Sequence, residues 1–220
     1  MKLKLISILI FFSLFTKLSF GQAKFKGDVM VSAGLTRCDL YNKLFILGLS
    51  SKNGPLYAKT QKAANLFDFN ITYFTKKNIG KFEQLFGIGY SPYGFKENGT
   101  ALNDSLKTIT YTINVRLNYG SIYGGLAYTF IKTKKVNVKL YQTLNPMFII
   151  DKSLSIFNKI GISTRSNILV DFKFKSGNIV SISPFFETSI WKYNNVNKIS
   201  GSPNFYPYSY GLNLGTYLGH

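Results

Sequence analysis

From Gln22 onward the chain alternates apolar and polar residues with a period of two, and its longest apolar stretches, Leu44 to Leu49 and Met147 to Ile150, are far shorter than the roughly 20 residues of a spanning helix. Alternation of that kind is the signature of strands with one wet and one dry face. The cleanest case is Thr110-Tyr111-Thr112-Ile113-Asn114-Val115-Arg116-Leu117-Asn118-Tyr119, where odd positions are apolar or aromatic and even positions polar. Tyr111 to Tyr119 spans roughly 27 Å of strand, which a tilt near 40° projects to about 20 Å. The pattern therefore assigns the odd positions to a lipid-facing band, with a tyrosine at each rim and Arg116 pointing inward.

The pattern recurs along the chain. Phe67, Phe69, Ile71 and Tyr73 alternate with Asp68, Asn70 and Thr72; Ile168, Val170, Phe172 and Phe174 alternate with Asp171, Lys173 and Lys175; Tyr208, Tyr210, Leu212 and Leu214 alternate with Ser209, Gly211, Asn213 and Gly215. Ile122, Gly124, Leu126, Tyr128 and Phe130 form a further face. A closed barrel is the one sheet that satisfies every backbone group in lipid. The expected fold is all-β, an antiparallel up-and-down transmembrane β-barrel. Its strands are predicted near 28–37, 65–76, 82–93, 108–118, 121–131, 136–144, 148–157, 166–175, 179–191 and 205–218. Connections at 38–64, 94–107, 132–135, 158–165 and 192–204 are placed outside, and short turns at 77–81, 119–120, 145–147 and 176–178 in the periplasm, so that long and short alternate except at 132–135. Ten strands satisfy this parity, with eight as the alternative. Pro184, inside a strand of a sheet without edges, predicts a bulge.

The first residues have the form of an export signal. Lys2 and Lys4 precede an apolar run from Leu5 to Phe15, and Ser19-Phe20-Gly21 supplies small residues before a cleavage site at Gln22. The expected organisation is a signal peptide over 1–21 and one outer-membrane barrel domain over 22–220. Losing Lys2, Lys4 and Lys17 takes the formal net charge from +18 to +15. Charge of that size raises nucleic acid as a partner. The lysines, however, sit scattered or in turn-like places such as Lys76-Lys77 and Lys132-Thr133-Lys134-Lys135, without a stripe of stacking aromatics. The excess is assigned to anionic lipid head groups and nucleic acid is not expected. Cys38, the single cysteine, forms no internal disulfide.

Catalytic chemistry is scarce in this inventory. His220 is the only histidine and stands last, which leaves little for a triad, a His-based metal site or a histidine-dependent lipid hydrolase. The nine acids contain no pair close in sequence. No catalytic residue, metal site or cofactor is expected. By strand phase Arg116, Asp171, Lys173 and Glu187 point inward as a charge network that fills a small barrel and neutralises itself. Tyr73, Tyr111, Tyr119, Tyr128, Phe174 and Tyr208 are the expected membrane-rim aromatics.

The ending of the signal at Ser19-Phe20-Gly21-Gln22, the run into Gly34-Leu35-Thr36, the segment Gly87-Ile88-Gly89-Tyr90 and the closing Tyr210-Gly211-Leu212-Asn213-Leu214-Gly215 together resemble the PorT-like small outer-membrane β-barrels of Gram-negative bacteria. The resemblance runs loosely over the whole mature chain. Such barrels commonly end on an aromatic residue, whereas this chain ends Tyr217-Leu218-Gly219-His220. The resemblance implies a role in secretion or surface assembly, with the barrel assembly machinery and secretion or surface proteins as partners. The favoured reading is an integral barrel with a structural, adhesive or assembly-accessory role. A soluble exported β-sandwich or ligand-binding barrel, and a barrel enzyme acting on envelope lipids, are the alternatives.

Overall fold

Segments rich in Val, Ile, Thr, Tyr and Phe form eight antiparallel strands, each paired with its neighbours in sequence, and the last pairs back onto the first. The computed structural model describes residues 27–40, 57–102, 108–150, 159–191 and 206–218. In order the strands are β1 (Gly27–Leu40), β2 (Tyr57–Ile79), β3 (Phe82–Leu102), β4 (Thr108–Lys132), β5 (Val136–Ile149), β6 (Ile160–Lys173), β7 (Ile179–Ser189) and β8 (Pro207–Leu218). The sheet is a closed up-and-down barrel. A β-sandwich is thereby excluded. The proposed signal, His220 and much of the expected outer loops lie outside the described residues.

Eight strands replace the expected ten because two apparent turns are interior to strands. The segments 108–118 and 121–131 are one strand, β4, and Asn145-Pro146-Met147 lies inside β5, with Asn145 and Met147 inward and Pro146 outward. The connection at 132–135 also changes ends. It joins β4 to β5 as a tight turn on the same side as Gly80-Lys81 and the β6–β7 turn, so the parity of short and long connections is unbroken. There Thr133 Oγ1 accepts from the Val136 amide at 2.8 Å and the Lys135 amide at 3.3 Å. Gly80 turns β2 into β3 with a φ of 63° that side chains rarely adopt. Pro184 sits opposite Leu212 of β8 without a bulge; the β6 ladder skips the positions facing it and resumes unshifted. Its ring points outward.

Closure fixes the geometry. Following paired residues from Asp39 through Tyr208, Thr188, Thr164, Leu144, Gly124, Phe86 and Tyr73 returns to β1 at Val29, a stagger of 39 − 29 = 10 residues. With about 3.3 Å per residue and about 4.8 Å between strands, that stagger tilts the strands by about 40°. A barrel this narrow has an interior only wide enough for side chains. Every strand accordingly alternates. On β5, Lys139, Tyr141, Thr143, Asn145 and Met147 are buried while Leu140, Leu144 and Phe148 are exposed; on β6, Ser163, Arg165, Asn167, Leu169 and Asp171 are buried.

Three strands overrun the barrel. β2, β3 and β4 have 23, 21 and 25 residues, against 11 to 14 in the other five. β5 reaches β4 at Ile149 opposite Tyr119, whereas β3 and β4 stay paired without interruption out to Leu102 and Thr108. A three-stranded sheet therefore rises roughly 35 Å along the strand beyond the wall, at the end opposite the short turns. This overrun corrects the phase assigned to 110–119. Ile122 faces out, so in one continuous strand Leu117 and Tyr119 face in, at 1% and 0% exposure, and Arg116 lies exposed outside.

Adjacent glycines on β4 test the wall packing. A Cβ at Gly125 would run into the backbone carbonyl of Gln142, whereas one at Gly124 would rest 3.4 Å from the Phe86 ring. Gly125→Ala should lower stability to unfolding in detergent by about 1–3 kcal/mol. Gly124→Ala should change it by less than about 0.5 kcal/mol. Equal losses would show that the β4–β5 approach is not the tight one.

Candidate functional site in the barrel interior

Alternation along the strands brings a buried ion pair network to the middle of the barrel. Arg165 on β6 grips Asp68 on β2 with both ends of its guanidinium, Nη1 to Oδ2 at 2.8 Å and Nη2 to Oδ1 at 3.2 Å. This fork-to-carboxylate geometry is the strongest form of charge-assisted hydrogen bond. Glu187, directly across the β6–β7 ladder from Arg165, brings Oε2 to 3.7 Å of Nη1. The guanidinium also lies over the Phe185 ring, 3.5 Å from its centroid.

Amides and hydroxyls complete both carboxylates. Asp68 Oδ1 accepts from Asn70 Nδ2 at 2.7 Å and from Asn213 Nδ2 at 2.6 Å. Glu187 Oε1 accepts from the Ser163 hydroxyl and from Asn145 Nδ2, the latter at 3.2 Å. Five strands, β2, β5, β6, β7 and β8, thus contribute to one network centred on Arg165. Taking charges of this kind out of water costs several kcal/mol each, so the extra donors are what make the cluster tolerable.

Apolar layers close the lumen on either side. Towards the short turns Met30, Phe74, Leu85, Tyr123, Ala127, Tyr141 and Leu169 form one cluster, bordered by Tyr217. Towards the overrunning strands lie Cys38, Tyr93, Phe95, Leu117, Tyr119 and Met147, with Tyr93 and Tyr119 edge to face at 6.0 Å. Two smaller polar contacts sit near the short-turn end. Lys139 Nζ bonds Glu83 Oε2 at 2.8 Å above the Phe74 ring, and Asp171 accepts from Ser181 at 2.7 Å and Tyr217 at 3.2 Å. Beside Arg165 a cavity of about 10 Å³ remains, lined by Asn70, Ser91, Ser121, Tyr141 and Thr143 among others. That is room for about one water molecule.

Asp171 and Glu187 face inward and are buried. Lys173 ends β6 at the short-turn rim, half-buried. Arg116 is not in the lumen: it lies outside, bonded to Tyr90 and Asn118. The cation beside Glu187 is Arg165 instead, a residue of the segment 158–165 expected as an outer connection and here part of β6. Of the rim aromatics, Tyr73 and Tyr128 lie on the outer face towards the short turns, Phe174 is exposed in the β6–β7 turn, and Tyr208 lies on the outer face at the other end. Tyr119 is corrected to the interior, and the Tyr111 side chain is outside the described residues. Asp68 is absent from the expected charge network, although strand phase sets it opposite the apolar face of β2, a signal that could have found it.

No protein-family model matches the chain, and comparison with curated proteins gives no match. Among solved structures the chain is similar to Neisserial surface protein A (NspA), at 12% identity over 86% of this chain and 96% of that one, TM-score 0.47. It is similar to outer membrane protein AlkL, whose structure was determined in DMPC lipid bilayers, at 12% identity over 91% and 94%, TM-score 0.46. Ail, the attachment invasion locus protein of Yersinia pestis, aligns at 10% identity over 88% and 99%, TM-score 0.38.

Double-mutant cycles separate the two candidate ion pairs. Arg165→Met strands two buried carboxylates and should lower stability in detergent by about 3–5 kcal/mol. Adding Asp68→Asn should recover part of that loss, with a coupling of at least about 1 kcal/mol. Arg116→Gln and Glu187→Gln should combine additively within about 0.5 kcal/mol. The reverse pattern of couplings, read from unfolding midpoints, would place the wrong arginine in the core.

Proposed function

We propose that this chain is an integral outer-membrane β-barrel, exported by its N-terminal signal, that presents a rigid sheet at the surface and has a structural, adhesive or assembly-accessory role rather than an enzymatic one. The observation that carries this reading is the outer wall. On β5 and β6 exposed apolar side chains run from Leu140 to Ile150 and from Ile160 to Phe172, and Leu35, Phe67, Phe86, Ile122, Phe186 and Leu214 continue the belt around the other strands. Allowing for tilt, Ile160 to Phe172 covers roughly 30 Å of height, the thickness of a bilayer core. A continuous exposed apolar surface of that extent has no place in water. The polar interruptions satisfy one another: Gln142 bonds both Thr164 and Ser166 across the β5–β6 ladder.

Lysines at the short turns support the same placement. Lys81, Lys132, Lys134, Lys135 and Lys175 are all exposed there, where anionic head groups would lie. The packed interior supports a non-conducting and non-catalytic reading, because Asp68 and Glu187 are both engaged by Arg165 and, among the described residues, the cavity beside Arg165 measures only about 10 Å³. The resemblance to PorT-like barrels adds secretion or surface assembly as the process served. The overrunning β2–β4 sheet is the part available to a surface or secretion partner, and the barrel assembly machinery is the partner for insertion.

The mature protein should appear in the outer-membrane fraction at native expression, migrate differently on gels before and after heating, and show no conductance steps in planar bilayers. Recovery as a soluble periplasmic protein would overturn the reading. Leu144→Arg, in the middle of the belt, should cost about 2–4 kcal/mol, while Thr110→Arg, exposed on the overrun opposite Thr100, should stay within about 0.5 kcal/mol. An equal cost at both positions, measured by unfolding in lipid vesicles, would contradict the proposed membrane boundary.

A further inference from the structure

On β3 and β4 the outer face changes character within one turn of the alternation. Ile88 and Ile122 are exposed apolar residues of the belt, and immediately beyond them come Tyr90, Asn118 and Arg116. These three lock together: the Tyr90 hydroxyl donates to Asn118 Oδ1, Arg116 Nε donates to the same oxygen at 3.0 Å, and Arg116 Nη2 donates to the Tyr90 hydroxyl at 3.1 Å. Two of the five guanidinium donors fix the group, and the rest remain for a ligand. Next along the same face Lys62 and Lys96 stand directly opposite each other across β2 and β3, both exposed. Like charges directly opposite on paired strands are destabilising. Among the described residues neither lysine has an acidic partner.

A repelling lysine pair beside a preorganised arginine is a poor arrangement for bare water and a good one for a doubly charged anion. We propose that Lys62, Lys96 and Arg116 form a binding site for a lipid phosphomonoester head group on the outer face of the β2–β4 sheet. The lipid source follows from position. The cluster begins where the apolar belt ends, so acyl chains lying against Ile88 and Ile122 place a head group level with Tyr90 and Arg116. Arginine supplies directed donors to the phosphate oxygens and the lysines supply charge. Binding would also remove the repulsion between Lys62 and Lys96, so lipid and fold stabilise each other. This inference rests on the membrane reading above and adds to it a specific head-group chemistry.

The test uses the mature protein refolded in a neutral detergent and native mass spectrometry with phosphatidic acid, phosphatidylcholine and inorganic phosphate as probes. The wild type should retain phosphatidic acid on the order of tenfold more tightly than phosphatidylcholine, and Lys62→Gln/Lys96→Gln/Arg116→Gln should erase that preference. Lys62→Glu guards against a variant that does not refold. It sets opposite charges across β2 and β3, so it should raise the lipid-free unfolding midpoint while losing the phosphatidic acid preference. An unchanged preference in either variant, with heat-modifiable mobility intact, would overturn the site. Displacement of the lipid by inorganic phosphate at equal concentration would overturn the lipid source. Failure of the wild type to enter the membrane fraction would instead sink the membrane reading, whatever the variants bind.

Discussion

Closure of the backbone ladder is the constraint from which the rest of this structure follows. An open sheet in lipid leaves a row of unpaired N–H and C=O groups, each costing several kcal/mol, and the pairing of β8 onto β1 removes that row. Eight strands with a ten-residue stagger then set both tilt and diameter. A wall of that diameter has an interior that side chains can fill. Whatever points inward must pack, and whatever polar groups point inward must find partners inside.

The interior answers this in layers. Apolar clusters at each end exclude water, and the middle is occupied by Arg165 with its two carboxylates and their amide donors. Arg165, its two carboxylates and their amide and hydroxyl donors draw on five strands and tie together chain segments 97 and 145 residues apart. Those contacts form only when strand order and register are both native. The cluster thereby favours one register over slipped alternatives, because a two-residue slip would bury an unpaired charge. A central plug of this kind stiffens the wall and makes a stable base for the sheet that rises from it.

The rising sheet obeys the opposite solvent rule within the same strands. In the belt the outer face of β4 is Ile122, Leu126 and Tyr128, while Tyr123 and Ala127 face in; beyond Gly120 the outer face is Asn118 and Arg116, and the apolar Leu117 and Tyr119 face in. The pleat does not change. On the proposed membrane placement, the medium does, and the side of the strand that must be polar switches where lipid would give way to water and head groups. That switch also explains why basic and hydrogen-bonding residues gather on the outer face at one height, which is where a membrane surface would meet them.

The alternation of apolar and polar residues determined by itself that the chain is all-β, antiparallel and apolar on the outside, because a strand's period of two is a local property of the backbone. It also placed Asp171 and Glu187 inward and set Asp68 opposite the face of Phe67 and Phe69. Strand count and partners were not legible in the same way. A phase flip at Tyr119-Gly120-Ser121 reads like a turn in sequence, since both interrupt alternation, and Asn145-Pro146-Met147 carries turn-forming residues although β5 runs straight through it. Only the continuous hydrogen-bond ladder distinguishes a strand crossing from one medium to another from a chain reversing direction. The same holds for the site: Arg165 and Asp68 are 97 residues apart, and their meeting is a consequence of barrel closure and stagger, which no local pattern encodes.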